Sequence, residues 1–151
     1  MSNPPTLPFR FQPKKPGARL RSLRAFRNKD PAVITALEVK WDDDSEPQFA
    51  GDRNDKIASE TFVLAHGERI TKITTKFDGS MSTGTPLVDI YLATNNGQRW
   101  WAFGGRQGEE GAEHPVGNGY LSFLVGEIIE AAVIYPGWIS YISYSMLWQM
   151  E

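Results

Sequence analysis

The chain has 151 residues, 40% hydrophobic and 23% charged, with a net charge of −2. That length suffices for one domain with a true core; the balance excludes a disordered chain, and the small net charge gives nucleic acid or an anionic membrane no general electrostatic hold. There is no cysteine, which excludes disulfides, thiolate metal sites and cysteine nucleophiles.

Residues 1–8 contain Pro4, Pro5 and Pro8 and read as an extended N-terminal arm, leaving residues 9–151 as a single domain. The N-terminus lacks the basic head and apolar run of a secretory signal. Val125 to Ile134 is too short to span a bilayer and is interrupted by Glu127 and Glu130. The expectation is a cytosolic protein with no membrane insertion, unconventional secretion being the alternative route. The basic run from Lys14 to Arg27 is followed by Asp42, Asp43, Asp44 and Glu46, a solvated balance of charge rather than a nucleic-acid patch.

Strand signals then dominate. Phe9 to Gln12 is strand-like, and Ala36 to Trp41 sets Leu37, Val39 and Trp41 against Glu38 and Lys40 with period two. Thr61 to Ala65, Ile70 to Phe77, Val88 to Ala93, Arg99 to Phe103, Tyr120 to Val125 and Tyr141 to Trp148 follow, punctuated by Gly, Pro, Asn and Asp clusters. No window is convincingly helical. Gly105 to Gly119 is Gly-rich and acidic and reads as a solvated, mobile loop. In Arg99-Trp100-Trp101 the two indoles must point to opposite faces, one of them into the core.

Three phrases superimpose: Gly17-Ala18-Arg19-Leu20, Gly67-Glu68-Arg69-Ile70 and Gly126-Glu127-Ile128-Ile129. Behind them Ile34, Leu37 and Val39 match Leu87, Ile90 and Leu92, then Ile139, Ile142 and Tyr144. A repeat of roughly fifty residues within one domain implies internal threefold pseudosymmetry. Each copy reads as four short antiparallel strands, a Greek key; in the second copy these are Phe62 to Ala65, Ile70 to Phe77, Leu87 to Thr94 and Arg99 to Phe103. The third copy stops short of its fourth strand. The arm from Pro4 to Pro8, or a neighbouring subunit, is expected to fill that edge.

Phe62-Val63-Leu64, Gly67-Glu68-Arg69-Ile70, Ile90-Tyr91-Leu92-Ala93-Thr94-Asn95 and Gly104-Gly105, in that order, resemble the jacalin-related lectins. The resemblance covers roughly residues 9–151. It implies an all-β protein of the β-prism I fold, three four-stranded antiparallel Greek-key sheets with pseudo-threefold symmetry. It also implies a carbohydrate-binding lectin that takes mannose- or galactose-type glycans at one end of the prism, with no metal or other cofactor. Glycans or glycoproteins, and a second copy of the chain in a homo-oligomer (a dimer), are the implied partners. In that family a Gly-Gly loop offers backbone N–H groups and a Gly-x-x-x-Asp loop offers a carboxylate that takes two sugar hydroxyls.

The usual family site departs here. Ser140 stands where the Asp is expected in the last loop, Tyr135 to Ser140, and Met1 to Phe11 holds no glycine. The second copy keeps more of the parts. Gly104 and Gly105 close its fourth strand, and Asp78, followed by Gly79, is the expected carboxylate, with Asp89 a substitute because Val88 holds the matching position. Trp101 or Trp100 would stack on the sugar ring. The third-copy loop offers Tyr135, Trp138 and Ser140 without a carboxylate; the first offers Gly51-Asp52 beside Asn28 to Pro31.

An enzyme is not expected. His66 and His114 are the only histidines, no nucleophile elbow or phosphate loop is present, and Glu68 and Glu127 occupy equivalent structural positions. His114 with Glu109, Glu110 and Glu113 matches no metal-binding spacing. The alternative to a lectin is a lectin-like structural or protein-interaction module that has lost sugar binding and dimerises around Trp138, Tyr144 and Trp148.

Overall fold

The structure, a computed structural model, describes residues 6–77, 86–106, 109–115, 122–134 and 138–150. Twelve strands run through them: β1 (Thr6–Phe11), β2 (Leu20–Arg27), β3 (Ile34–Trp41), β4 (Gln48–Gly51), β5 (Ile57–Ala58), β6 (Phe62–Val63), β7 (Ile70–Phe77), β8 (Leu87–Thr94), β9 (Arg99–Trp101), β10 (Glu109–Pro115), β11 (Ser122–Ile134) and β12 (Trp138–Met150). Among the described residues no helix is long and apolar enough to cross a membrane.

The strands form three antiparallel sheets around one core. In the first, β2, β3 and β4 meander in order and the chain then returns to the free side of β2 through β5 and β6. Ser59 joins these two short strands to β2, accepting the Ala25 N–H on its hydroxyl at 3.0 Å and donating its own N–H to Ala25 O at 2.8 Å. The second sheet repeats the plan, with β7, β8 and β9 in order and β10 returning beside β7. In the third, β11 and β12 pair along their length, and β1 takes the place of the returning strand beside β11.

Three expectations change. Phe62 and Val63 pair with β2, so they complete the first sheet rather than open the second. Glu109 to Pro115, expected as mobile loop, is a strand: β7 is a sheet edge without it, and its backbone supplies the missing ladder despite a composition poor in β-formers. The N-terminal arm is strand from Thr6 onward, and it pairs with β11, not with the outer edge of β12. That sheet therefore has three strands among the described residues, not four.

The alternation of apolar residues explains the common core. Leu23, Leu37, Val39 and Trp41 of the first sheet meet Ile70, Ile73, Ile90 and Leu92 of the second and Ile129, Ile139 and Ile142 of the third, with Phe11 from β1. Burying each such side chain contributes roughly 1.5–3 kcal/mol. Trp41 is enclosed, and its indole N–H reaches Gln48 Oε1 at 3.2 Å.

Two buried carboxylates pin the loops. Glu68 accepts from Ala65 N at 2.7 Å, Thr94 Oγ1 at 2.5 Å and Gln98 Nε2 at 2.7 Å. Burial pushes its pKa up, but the bonds from Thr94, Ala65 and Gln98 outweigh this and hold it below its ordinary value. Asp43 accepts from Lys14 N at 3.0 Å, Lys15 N at 3.1 Å, Ser45 N at 3.0 Å and the Ser45 hydroxyl. It ties the connection before β2 to the turn after β3. The Ser45 hydroxyl is the largest influence and, with the three backbone N–H groups, holds Asp43 at about 2 against an ordinary 3.8. A depressed carboxylate stabilises the fold fully above its unfolded value, and that contribution disappears as pH falls through its folded value. The thermal midpoint should thus drop between pH 3.8 and about 2 more steeply in the parent than in Asp43→Asn. Equal slopes in a pH series of melting curves would remove Asp43 from the acid response.

Candidate functional site

β8 pairs with β9, placing Tyr91 opposite Trp101 and Leu92 opposite Trp100. Beyond Trp101 the chain turns sharply through Ala102 to Gly105. Gly104 and Gly105 have φ of 87° and 74° in succession, a left-handed pair that side chains with a Cβ rarely adopt. At Gly105 a Cβ would also lie 2.9 Å from the Trp101 indole. Gly104 is exposed, with nothing within 4 Å of where its Cβ would stand.

Asp89 holds this turn. The side chain is 1% exposed. One oxygen accepts the N–H of Phe103 at 2.8 Å and of Ile90 at 2.9 Å; the other accepts the N–H of Gly105 at 2.7 Å. The carboxylate read as a substitute sugar ligand is therefore turned into the loop itself. Sequence reveals the residue type but not that the following turn folds over it. Ala102 N adds a bond to Ile90 O at 2.9 Å.

On the same face Lys76, paired in register with Asp89, donates through Nζ to Gly105 O and lies 5.0 Å from the centre of the Trp101 ring. Trp101 is half-buried and packs at 4.9 Å on Tyr91. Trp100 points the other way, against Phe62 at 5.2 Å and the core, so the two indoles divide between faces as period two requires. Lys76 and Tyr91 were not singled out from sequence. The signal was present, because Tyr91 lies two residues beyond Asp89 and must share its face.

The structure thus brings Asp89, Trp101, Gly104 and Gly105 together. Asp78, Gly79 and Tyr135 lie outside the described residues. Trp138 opens β12 opposite Ile134, and Ser140 is half-buried with its hydroxyl donating at 3.4 Å to Ala132 O. Both belong to the third sheet, not the second. In the first sheet Gly51 has φ 90°, Asp52 N donates to Thr35 O at 3.1 Å, and Asp52 Oδ1 accepts from Asn54 N at 2.9 Å.

His66 and Glu68 line a small, open groove with Arg19, Arg21 and Asp42, at the turn between β6 and β7. The Glu68 oxygens there are committed to Ala65, Thr94 and Gln98. Among the described residues no group of three His, Asp or Glu side chains is placed to hold a metal ion.

Three antiparallel sheets in Greek-key order around a shared core make this chain a β-prism, the fold of the jacalin-related lectins. It superimposes on a prostate-specific WGA16 glycoprotein lectin with a TM-score of 0.67 and 19% identity, covering 99% of this chain and 95% of that one. For Calystegia sepium agglutinin the TM-score is 0.65 at 15% identity, over 98% and 95% of the two chains. For jacalin in complex with melibiose the values are 0.60 and 18%, over 93% and 98%. No protein-family model and no curated protein sequence matches the chain.

Proposed function

We propose that this protein is a carbohydrate-binding lectin that recognises mannose- or galactose-type glycans without a metal ion, through the second-sheet loops at one end of the prism. The observation that carries this reading is the Gly104-Gly105 turn, with an exposed Gly104 backbone open to close approach beside Trp101. Jacalin, which shares the fold, holds melibiose in its crystal structure. In this reading the Gly104 N–H donates to a sugar hydroxyl, Asp78 accepts a pair of hydroxyls, and the free part of Trp101 meets the apolar face of the ring. Asp89 and Lys76 position the turn and touch no ligand. In this reading the glycan leaves unchanged; the buried Glu68 takes no part, its oxygens being taken up by Ala65, Thr94 and Gln98.

Affinity at a single open site is weak, because a small ligand buries little area and exchanges its hydrogen bonds with water. Useful avidity needs several sites. A second reading, an interaction module that has lost sugar binding, is favoured by Ser140, which carries a hydroxyl bonded to Ala132 where the family carboxylate would stand. A glycan array with the parent and Asp78→Ala separates the two. Binding to mannose- or galactose-type glycans that the substitution abolishes supports the second-sheet site. Binding that survives it moves the site towards Trp138 and Ser140, and silence across the array at high protein concentration favours the interaction module.

A further inference from the structure

The connection between β8 and β9 contains an Asn-Gly pair, Asn96-Gly97, at the tip of a tight hairpin. Thr94 N donates to Gln98 O at 3.0 Å and Gly97 N to Thr94 O at 3.1 Å, and Gly97 takes the left-handed conformation with φ 85°. These are the marks of a short hairpin loop closed by a glycine. Asn95 is pinned within it: its Oδ1 accepts from Arg69 N at 2.8 Å, and its own N–H donates to Arg69 O at 3.1 Å. Asn96 is exposed, and its side-chain amide has no hydrogen-bond partner among the described residues. Nothing lies within 4 Å of where a Gly97 Cβ would stand, so the approach to the Gly97 nitrogen is uncrowded.

We propose that Asn96 is a site of spontaneous chemical modification, deamidating through its peptide link to Gly97. The Gly97 nitrogen attacks Cγ of Asn96 and the new N–C bond closes a cyclic imide. The bond from Cγ to the side-chain nitrogen breaks, and that nitrogen leaves as ammonia with the proton given up by Gly97. Water then opens the ring. Cleavage of the new bond gives an ordinary aspartate; cleavage of the old peptide bond gives isoaspartate, with the chain rerouted through Cβ and Cγ and one methylene longer. The bond from Gly97 N to Thr94 O restrains the attack, but it is near the long end of the range. It also sits on an exposed tip whose second strand, β9, has only three residues, so a local opening there costs little. The isoaspartate matters because the tip is a junction. Gln98 Nε2 donates to Val63 O at 3.1 Å and to the two Glu68 oxygens at 2.7 and 2.8 Å, and Gln98 N donates to Thr94 Oγ1 at 3.2 Å. An added methylene in residue 96 shifts Gln98 off these partners and releases β9 from Glu68 and from the end of β6. The modification is independent of the sugar reading and stands or falls separately from it.

Peptide mass mapping of aged protein tests the inference. The chain has no Lys or Arg from 77 to 98 or from 107 to 151, so trypsin releases Asn96 within residues 77–99 and the other Asn-Gly pair, Asn118-Gly119, within residues 107–151. After weeks in mildly alkaline buffer, fragmentation of the 77–99 peptide from folded parent should place the amide-to-acid mass gain on Asn96, with Asn95 unchanged. The thermal midpoint should fall as the modified fraction grows. Asn96→Ser should neither gain the mass there nor lose stability over the same period. Asn96→Asp, which adds the charge without rerouting the chain, should melt with the fresh parent. If Asn96 keeps its amide in the folded protein while the urea-unfolded chain reacts, the Thr94 bond is a protection and the proposal is overturned. An equal loss of midpoint in aged Asn96→Ser would place the damage elsewhere and overturn the role given to the junction.

Discussion

Replacing Asp89 with alanine is expected to lower stability by about 3 kcal/mol and to abolish glycan binding, although Asp89 is closed off from any ligand. The carboxylate is the acceptor for the N–H groups of Phe103 and Gly105, two strand lengths away in sequence. Without it those donors lose their partner in a place that water reaches poorly, at about 1–3 kcal/mol each. For a chain of this size that is a fall of roughly 6–12 °C in the thermal midpoint. The turn is also the element that presents the Gly104 backbone, so its loosening should remove binding before the fold is lost. Asp89→Asn keeps one acceptor and sets an amide N–H₂ against a backbone N–H, and should fall between alanine and the parent. Melting curves with hydrogen exchange at Gly105 read both effects. An unchanged midpoint together with a protected Gly105 amide would show that Asp89 does not hold the turn.

Gly51→Ala should cost still more. A Cβ at position 51 would stand 2.0 Å from Thr35 O and 2.9 Å from the Ala36 Cα, at a φ of 90°. Both obstacles are backbone of the neighbouring strand, where Ala36 pairs with Gly51, so no side chain can swing aside. β4 has to lift from β3, and the bonds joining Asp52 N to Thr35 O and Thr35 Oγ1 to Asp52 O go with it. A loss of about 4 kcal/mol or more is expected, at the end of the range for single substitutions. Gly104→Ala isolates the conformational part, since its φ is 87° but nothing lies within 4 Å, and should cost only about 1 kcal/mol. Urea unfolding of the two variants side by side makes the comparison; equal losses would mean that the contact at Thr35 relaxes freely.

The contrast between these glycines also marks how far sequence reaches. The alternation in Ile34–Trp41 and Leu87–Thr94 and the Gly-led phrases before β2 and β7 made the strands and the prism legible, because period two and turn chemistry are local; the third phrase, from Gly126, lies inside β11 instead of before it. Which strand a segment pairs with is not local, and Phe62 and Val63 went to the sheet before them instead of the one after. β10 was illegible for another reason. Its acidic and glycine residues argue against a strand, and the ladder of β7 overrides them. At the site, Gly104 and Gly105 could be read from their type and Trp101 from its alternation, whereas the inward turn of Asp89 depends on residues fourteen and sixteen positions away.

The pairing of β1 with β11, Thr6 opposite Ile134 and Phe11 opposite Ile129, has a consequence for the order of events in time. β1 leaves the ribosome well before β11, with the strands of both other sheets between them in sequence, so it waits unpaired while those sheets are made. Closing so large a loop carries a high entropic cost, and contacts of such separation slow the search. The third sheet therefore closes after the other two, and Phe11, enclosed in the finished core, is an apolar residue exposed throughout the wait. Interception of that strand, by a chaperone or by the β11 of another unfinished chain, is the hazard that this closure carries.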